Sequence, residues 1–140
     1  MHRRPNVLLM KSEAFAQRII KFEQYLKNFT NCNSSIANQV LRSGTSVAAN
    51  IAESVNAESR ADFIHKLSIA LKEADETLTW LKNIKGTYIV LQSGMNSLIN
   101  DNNEIRYILI ASIKTAKGVD NKDDVSDGNM IGEGNQNFPF

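Results

Sequence analysis

Residues Gln39–Ser54 read Gln-Val-Leu-Arg-Ser-Gly-Thr-Ser-Val-Ala-Ala-Asn-Ile-Ala-Glu-Ser, and they predict a helix with two distinct faces. At about 100° per residue, four polar side chains fall within about 80° of one another, namely Arg42, Ser46, Asn50 and Glu53. We call these four residues the polar stripe. The opposite face carries apolar side chains, namely Ile36, Val40, Leu41, Val47, Ala48, Ile51 and Val55. Such a stripe indicates a surface for assembly or recognition, and it holds no recognisable catalytic group.

The composition predicts one helical domain outside the membrane. The chain has 140 residues, which is enough for a single core of ordinary size. No run of about 18 apolar residues exists, so we expect no membrane span, and Val7–Met10 is too short for a secretory core. The one cysteine, Cys32, cannot form an internal disulfide. We therefore expect a cytoplasmic protein.

Acidic residues are concentrated after position 117. Residues 118–140 hold one lysine and five acidic residues, a net charge of −4, while residues 1–117 hold fifteen basic and ten acidic residues, a net charge of +5. The segment 118–140 is rich in Gly and Asn, so we predict an acidic flexible tail. Its aromatic end, Asn137-Phe138-Pro139-Phe140, is compatible with a docking peptide, but an unstructured terminus is the favoured interpretation.

Apolar spacing in residues 1–117 predicts four helices. The first spans about Ser12–Asn31 and has an apolar seam of Phe15, Ile19, Phe22, Leu26 and Phe29. The second spans about Ser34–Ala57, with Asn33 or Ser34 as its cap.

The third helix begins at Ser59, where Ser59-Arg60-Ala61-Asp62 matches a capping box, and runs to about Lys85. Its predicted core residues are Phe63, Leu67, Ala70, Leu71, Ala74, Leu78 and Leu81. The fourth begins either near Met95 or near Asp101, because the polar run at positions 100–103 is a poor helix interior. Short connections favour an antiparallel up-down-up-down four-helix bundle, preceded by a short N-terminal arm at Val7–Met10.

Two apolar side chains of the third helix lie away from its core face. Ile69 and Trp80 fall on one line, beside Glu73 and Glu76. A monomeric bundle has no evident use for a tryptophan there, so the pair predicts a subunit contact.

No arrangement of residues indicates catalysis or metal binding. The nearest approach to a carboxylate-bundle metal motif is a single Asp62-x-x-His65 pair, which faces away from the predicted core. Neither histidine is placed to activate Cys32, and Gly44 stands alone within a helix rather than in a phosphate loop. We therefore expect no enzymatic activity, no cofactor and no metal.

Two blocks, Gln39–Glu53 and Ser59–Leu81, resemble the bacterial four-helix-bundle proteins related to those encoded in intervening sequences of 23S ribosomal RNA genes. Asn6–Ala16 also fits, and the resemblance covers about Asn6 to Lys117. It implies a bundle assembled into a ring, a homopentamer, in which the polar stripe matches motif positions. The family is similar to accessory proteins of diversity-generating retroelements, which form basic pentameric barrels that bind nucleic acid and a reverse transcriptase. The resemblance supplies no catalytic residue.

Two functions are compatible with these features. The first is a homo-oligomeric scaffold or adaptor whose partner is itself or another protein. The alternative is an accessory factor that binds RNA or DNA through a basic rim, in company with a reverse transcriptase or ribosomal RNA. The net charge of +5 on residues 1–117 favours the alternative. The alternation of lysines and acids along the third helix, and the acidic tail, favour the scaffold.

Overall fold

The computed structural model describes residues 6–118 and 138–140, and within them the chain forms four α-helices and no strand. The helices are α1 (Val7–Phe29), α2 (Ser34–Val55), α3 (Arg60–Thr87) and α4 (Gln92–Ala116). The predicted all-α class with four helices is therefore confirmed. None of these four helices is long and apolar enough to cross a membrane.

Short polar side chains cap the first three helices. Asn6 Oδ1 accepts a hydrogen bond from Leu9 N at 3.0 Å, so Val7–Met10, predicted as an arm, is the first turn of α1. Asn33 caps α2 by accepting from Ser35 N at 2.8 Å. Ser59 caps α3 by accepting from Asp62 N at 3.0 Å, as the capping box predicts.

The fourth helix begins earlier than either predicted start, and its polar run lies inside it. Each of three side chains in the run has a partner that compensates for its poor helix propensity. Asp101 accepts from Arg18 of α1 at 2.6 Å. Asn102 is buried and donates from Nδ2 to the Ala74 carbonyl of α3 at 3.0 Å. Asn103 accepts from Arg106 at 3.2 Å.

The core lies between neighbouring helices, since α1 and α3 each pack against both α2 and α4. Its largest fully buried side chains are Phe15, Ile19, Phe22, Leu26, Ile51, Leu67, Leu81, Ile84, Met95, Leu98, Ile105 and Leu109. Phe29 was predicted in the seam, but it is the last residue of α1 and is 76 % exposed. Phe63 and Leu78 of α3 were also predicted in the core, but they are only half-buried. The polar residue Thr77 is fully buried instead.

Small residues let α2 approach its neighbours closely. A β-carbon on Gly44 would lie 2.8 Å from Cγ1 of Ile19, so α1 packs directly onto the α2 backbone there. On the other side, the buried Thr77 hydroxyl of α3 lies 2.9 Å from the buried Ser43 hydroxyl. Gly44 and Ser43 thus serve packing within one chain.

The end of the sequence differs from the favoured expectation. Phe140 is 4 % exposed and packs against α1 and α4, so the prediction of an unstructured terminus is wrong at this residue. The flexible tail predicted for residues 118–140 otherwise lies mostly outside the described residues.

Candidate functional site

The polar stripe lies along the side of α2 that meets α3, and its first member bridges the two helices. The Arg42 guanidinium donates from Nη1 to Oε2 of Glu73 at 3.1 Å and from Nη2 to Oε2 of Glu76. Its Nε donates to Gln39 Oε1 at 3.2 Å. Arg42 thus has three acceptors in its own chain.

Trp80 belongs to the same cluster. Its Nε1 donates to Oε2 of Glu76 at 3.2 Å, and its ring packs against the core while remaining half-buried. A single bundle therefore does use the tryptophan at this position, contrary to the expectation from the sequence. Ile69 is also half-buried. A subunit contact through Ile69 and Trp80 remains a prediction.

The rest of the stripe is divided into separate contacts. Glu53 accepts from Lys66 of α3 at 3.0 Å, forming a second bridge between the helices. Asn50 donates from Nδ2 to the Ser46 carbonyl at 2.8 Å, a bond within α2. The side chains of Ser46 and Asn50 are half-buried. The stripe is thus an edge that joins α2 to α3 at both ends, rather than one continuous network.

In each of these two bridges, the acidic side chains stabilise the charged form of the cation. Hydrogen bonding to Glu76 raises the pKa of Arg42 above its ordinary value, and the nearby charge of Glu73 adds to the effect. Hydrogen bonding to Glu53 likewise raises the pKa of Lys66. The Arg42 side chain is 47 % exposed, so solvent screening keeps the contribution of its ion pairs to folding small.

Asp62 and His65 are the two residues that most nearly resemble a metal-binding motif. Asp62 accepts from the Glu58 backbone N–H at 3.1 Å and so supports the start of α3. His65 is exposed. Across residues 6–118 and 138–140, no group of three or more His, Cys, Asp or Glu side chains is placed to hold a metal ion.

A second site lies between α1 and α4, and no pattern in the sequence predicted it. Phe22 and Tyr25 of α1 and Gly94 in the first turn of α4 surround the Phe140 ring. We call these three residues the aromatic slot. The signals that could have indicated it are the aromatic end of the sequence and a glycine within the first turn of a helix.

The four helices, with connections of four residues each, define an all-α bundle protein. The model of the 23S rRNA-intervening sequence protein family matches residues 5–111, and the chain belongs to that family. It is also similar to a crystal structure of a protein of unknown function from the S23 ribosomal protein family of Bacteroides thetaiotaomicron. The two chains are 45 % identical with a TM-score of 0.74, over 77 % of this chain and 99 % of the other. No curated protein matches the chain.

Proposed function

We propose that this protein is a non-enzymatic cytoplasmic scaffold that works as a homo-oligomer, a ring of five bundles. The observation that carries the proposal is the exposure of Phe29 and Ile89, at 76 % and 96 %. Both flank the same end of the bundle, where Tyr88 of the α3–α4 connection accepts from Asn33 N just after α1. Large apolar side chains exposed together favour a protein contact.

The pairing of three arginines with acids supports a scaffold over a phosphate-binding surface. Arg18, Arg42 and Arg106 each donate to a carboxylate of another helix in the same chain, at Asp101, Glu73 and Asp75 respectively. Nucleic-acid affinity comes largely from cations that neutralise phosphates. Arginines already bound to carboxylates are poorly available for that role.

Within each subunit, we propose that the helices run alternately up and down. The connections of four residues are too short to return the chain along helices of 22 to 28 residues, which are about 33–42 Å long. Contacts between chain positions support the same arrangement. Tyr25, late in α1, accepts from Leu91 N just before α4 begins, while Lys85, late in α3, donates to Asn96, early in α4.

The scaffold proposal is tested by charging the exposed apolar end. Phe29→Glu and Ile89→Glu should together lower the mass of the assembly, because a charge must be desolvated to enter a subunit contact. Helical circular dichroism should stay unchanged, since both side chains are largely exposed in a single chain. Thr87→Glu, also at an exposed position, is the control. A double variant that keeps the wild-type mass would exclude this end as the contact.

Ile69 gives a second test of the subunit contact. Ile69→Glu should lower the mass if the side of α3 that carries Ile69 and Trp80 forms a contact. Trp80→Glu is a poor probe, because the new carboxylate would stand beside Glu76, which already accepts from Trp80. Trp80→Phe keeps an aromatic side chain without adding a charge, although it removes the N–H donor and part of the indole surface.

Nucleic-acid binding remains the second candidate, and one observation favours it. A recess of about 590 Å³ is lined by Lys82 and Lys85 together with the side-chain amides of Gln92, Asn96 and Asn100. Lysines among neutral hydrogen-bonding groups suit a phosphate backbone. The names of the family and of the solved relative, which refer to ribosomal RNA and to a ribosomal protein, point the same way.

Fluorescence anisotropy with a labelled single-stranded RNA separates the two candidates. If RNA binds at the recess, the double variant Lys82→Ala/Lys85→Ala should weaken binding and flatten its salt dependence. Arg42→Ala should leave binding unchanged, because Arg42 is bound to acids of α3. Wild-type protein that fails to bind, or equal binding by the double variant, would exclude the recess.

A further inference from the structure

The ring of Phe140 is held as a ligand would be. Its centroid lies 4.8 Å from those of both Phe22 and Tyr25, with ring planes tilted by 56° and 50°. These are favourable geometries for aromatic pairs. Phe140 is 4 % exposed although it comes from a part of the sequence outside the four helices. The aromatic slot therefore surrounds a side chain that no helix supplies.

Gly94 makes room for this ring. A β-carbon at position 94 would lie 2.7 Å from Cζ of Phe140, closer than carbon atoms in contact approach, and 3.0 Å from Cε1. Any other residue at this position would have to displace the ring. Glycine is also unfavourable in a helix, by about 1 kcal/mol relative to alanine. Its presence inside α4 is explained by the ring that it admits.

Arg18 adds a contact to the main chain of the occupant. Its Nη2 donates to the Phe140 main-chain oxygen at 3.2 Å, while its Nη1 donates to Asp101 at 2.6 Å and to Ser97 at 3.2 Å. The guanidinium is thus oriented by α4 before it meets the peptide. A pocket for one side chain beside a fixed donor for the main chain is the arrangement used in peptide recognition.

The length of the chain permits this docking within one molecule. From Gly94 to Gly118 the chain follows α4 for about 36 Å. The return from Gly118 to Phe138 uses nineteen intervening residues, which reach at most about 66 Å when extended. The family match ends at residue 111, so the slot lies inside the shared bundle while Phe140 lies outside it.

We propose that the aromatic slot is a docking site for a short peptide bearing Phe-Pro-Phe, and that residues 138–140 of the same chain are its resident ligand. The tethered segment acts as a plug. A separate peptide of the same chemistry binds only when the plug leaves, because the tether gives residues 138–140 a high effective concentration at the slot.

The test uses a fluorescein-labelled peptide that copies residues 134–140 and the full-length protein in three forms. Wild type has the plug in place, Phe140→Ala opens the slot, and Phe140→Ala with Gly94→Leu fills the opened slot with a side chain. A second peptide with alanine in place of its last phenylalanine is the ligand control. Circular dichroism checks that each form is helical, and Phe140→Asp serves as a second way of opening the slot.

Phe140→Ala should bind the copied peptide at least tenfold more tightly than either wild type or the filled double variant, and should bind the alanine peptide at least tenfold more weakly. Two results would overturn the proposal. The first is equal binding by the opened and filled forms, which would mean that the slot is not the site. The second is equal binding by wild type and Phe140→Ala, which would mean that residues 138–140 do not occupy it. Because all contacts lie in one chain, neither result depends on the oligomeric state.

Discussion

Trp80 and Arg42 donate to the same carboxylate oxygen. Nε1 of Trp80 lies 3.2 Å from Oε2 of Glu76, and Nη2 of Arg42 donates to that oxygen as well. One acid thus joins the cation of α2 to the tryptophan of α3. This relationship makes the first part of the polar stripe a contact between helices of one bundle.

Arg42→Ala should therefore lower stability rather than remove a binding activity. We expect a loss of about 1 kcal/mol or less, because an ion pair exposed to solvent is screened, and the loss should shrink at high salt. Arg42→Lys is the matched control, since it keeps the charge but cannot span both acids. Urea denaturation at low and high salt measures the effect. A loss above about 3 kcal/mol would instead indicate a buried interaction, as in a subunit contact.

Replacing Gly44 of α2 and Gly86 of α3 by alanine should have opposite effects. Gly44→Ala places a β-carbon 2.8 Å from Cγ1 of the buried Ile19, and such overpacking costs about 1–3 kcal/mol. Gly86→Ala meets no atom within 4 Å, so it should stabilise α3 by up to about 1 kcal/mol through helix propensity alone. Thermal melts of the two variants check the contrast. Equal melting temperatures would mean that α1 does not pack on the α2 backbone at Gly44.

The buried Asn102 should be replaceable by leucine. Its Oδ1 has no hydrogen-bond partner among the described residues, and its Nδ2 donates to a carbonyl inside α3. Asn102→Leu removes the cost of burying the unpaired oxygen, so we expect unchanged or higher stability. Asn102→Ala leaves a cavity and should be less stable than Asn102→Leu. Urea unfolding of the three proteins gives the order, and leucine ranking below alanine would contradict it.

Cys32 should react slowly with thiol reagents. Burial raises the pKa of its thiol above the ordinary 9.0, more than hydrogen bonding to Tyr88 lowers it. The neutral form is therefore favoured in the folded chain. Above pH 9.0 the Cys32 thiol ionises more readily in the unfolded chain than in the folded chain. The free energy of unfolding therefore decreases as the pH rises further.

Alkylation at mildly alkaline pH should thus be slower in native protein than in urea, with Cys32→Ser as the unreactive control. Equal rates in the folded and unfolded chain would refute the raised pKa.

Repeating patterns in the sequence predicted the helices well. The seam residues Phe15, Ile19, Phe22 and Leu26 are buried as expected, because a helix in a bundle must hide one regular face. Asn33 and Ser59 act as caps because their effect is local. The polar run in α4 was misjudged, since its partners Arg18 and Ala74 are distant in sequence.

The polar stripe and the aromatic slot could be predicted only in part, because their contacts join residues that are distant in sequence. Arg42 lies on the side of α2 that meets α3, but its acceptors on α3 could not be chosen from spacing alone. Phe140 was assigned to a tail by composition, although its ring packs between Phe22 and Gly94. The docking of one aromatic residue cannot be predicted from local sequence patterns when its partners are far away in the sequence.

The mass of the wild-type protein in solution decides whether it forms a ring of five bundles. Light scattering coupled to size exclusion, at micromolar concentration, should give about 78 kDa, five times the 15.6 kDa of one chain. The mass should hold across a dilution series within that range. A mass of 15.6 kDa throughout would show that the protein is a monomer and exclude the ring.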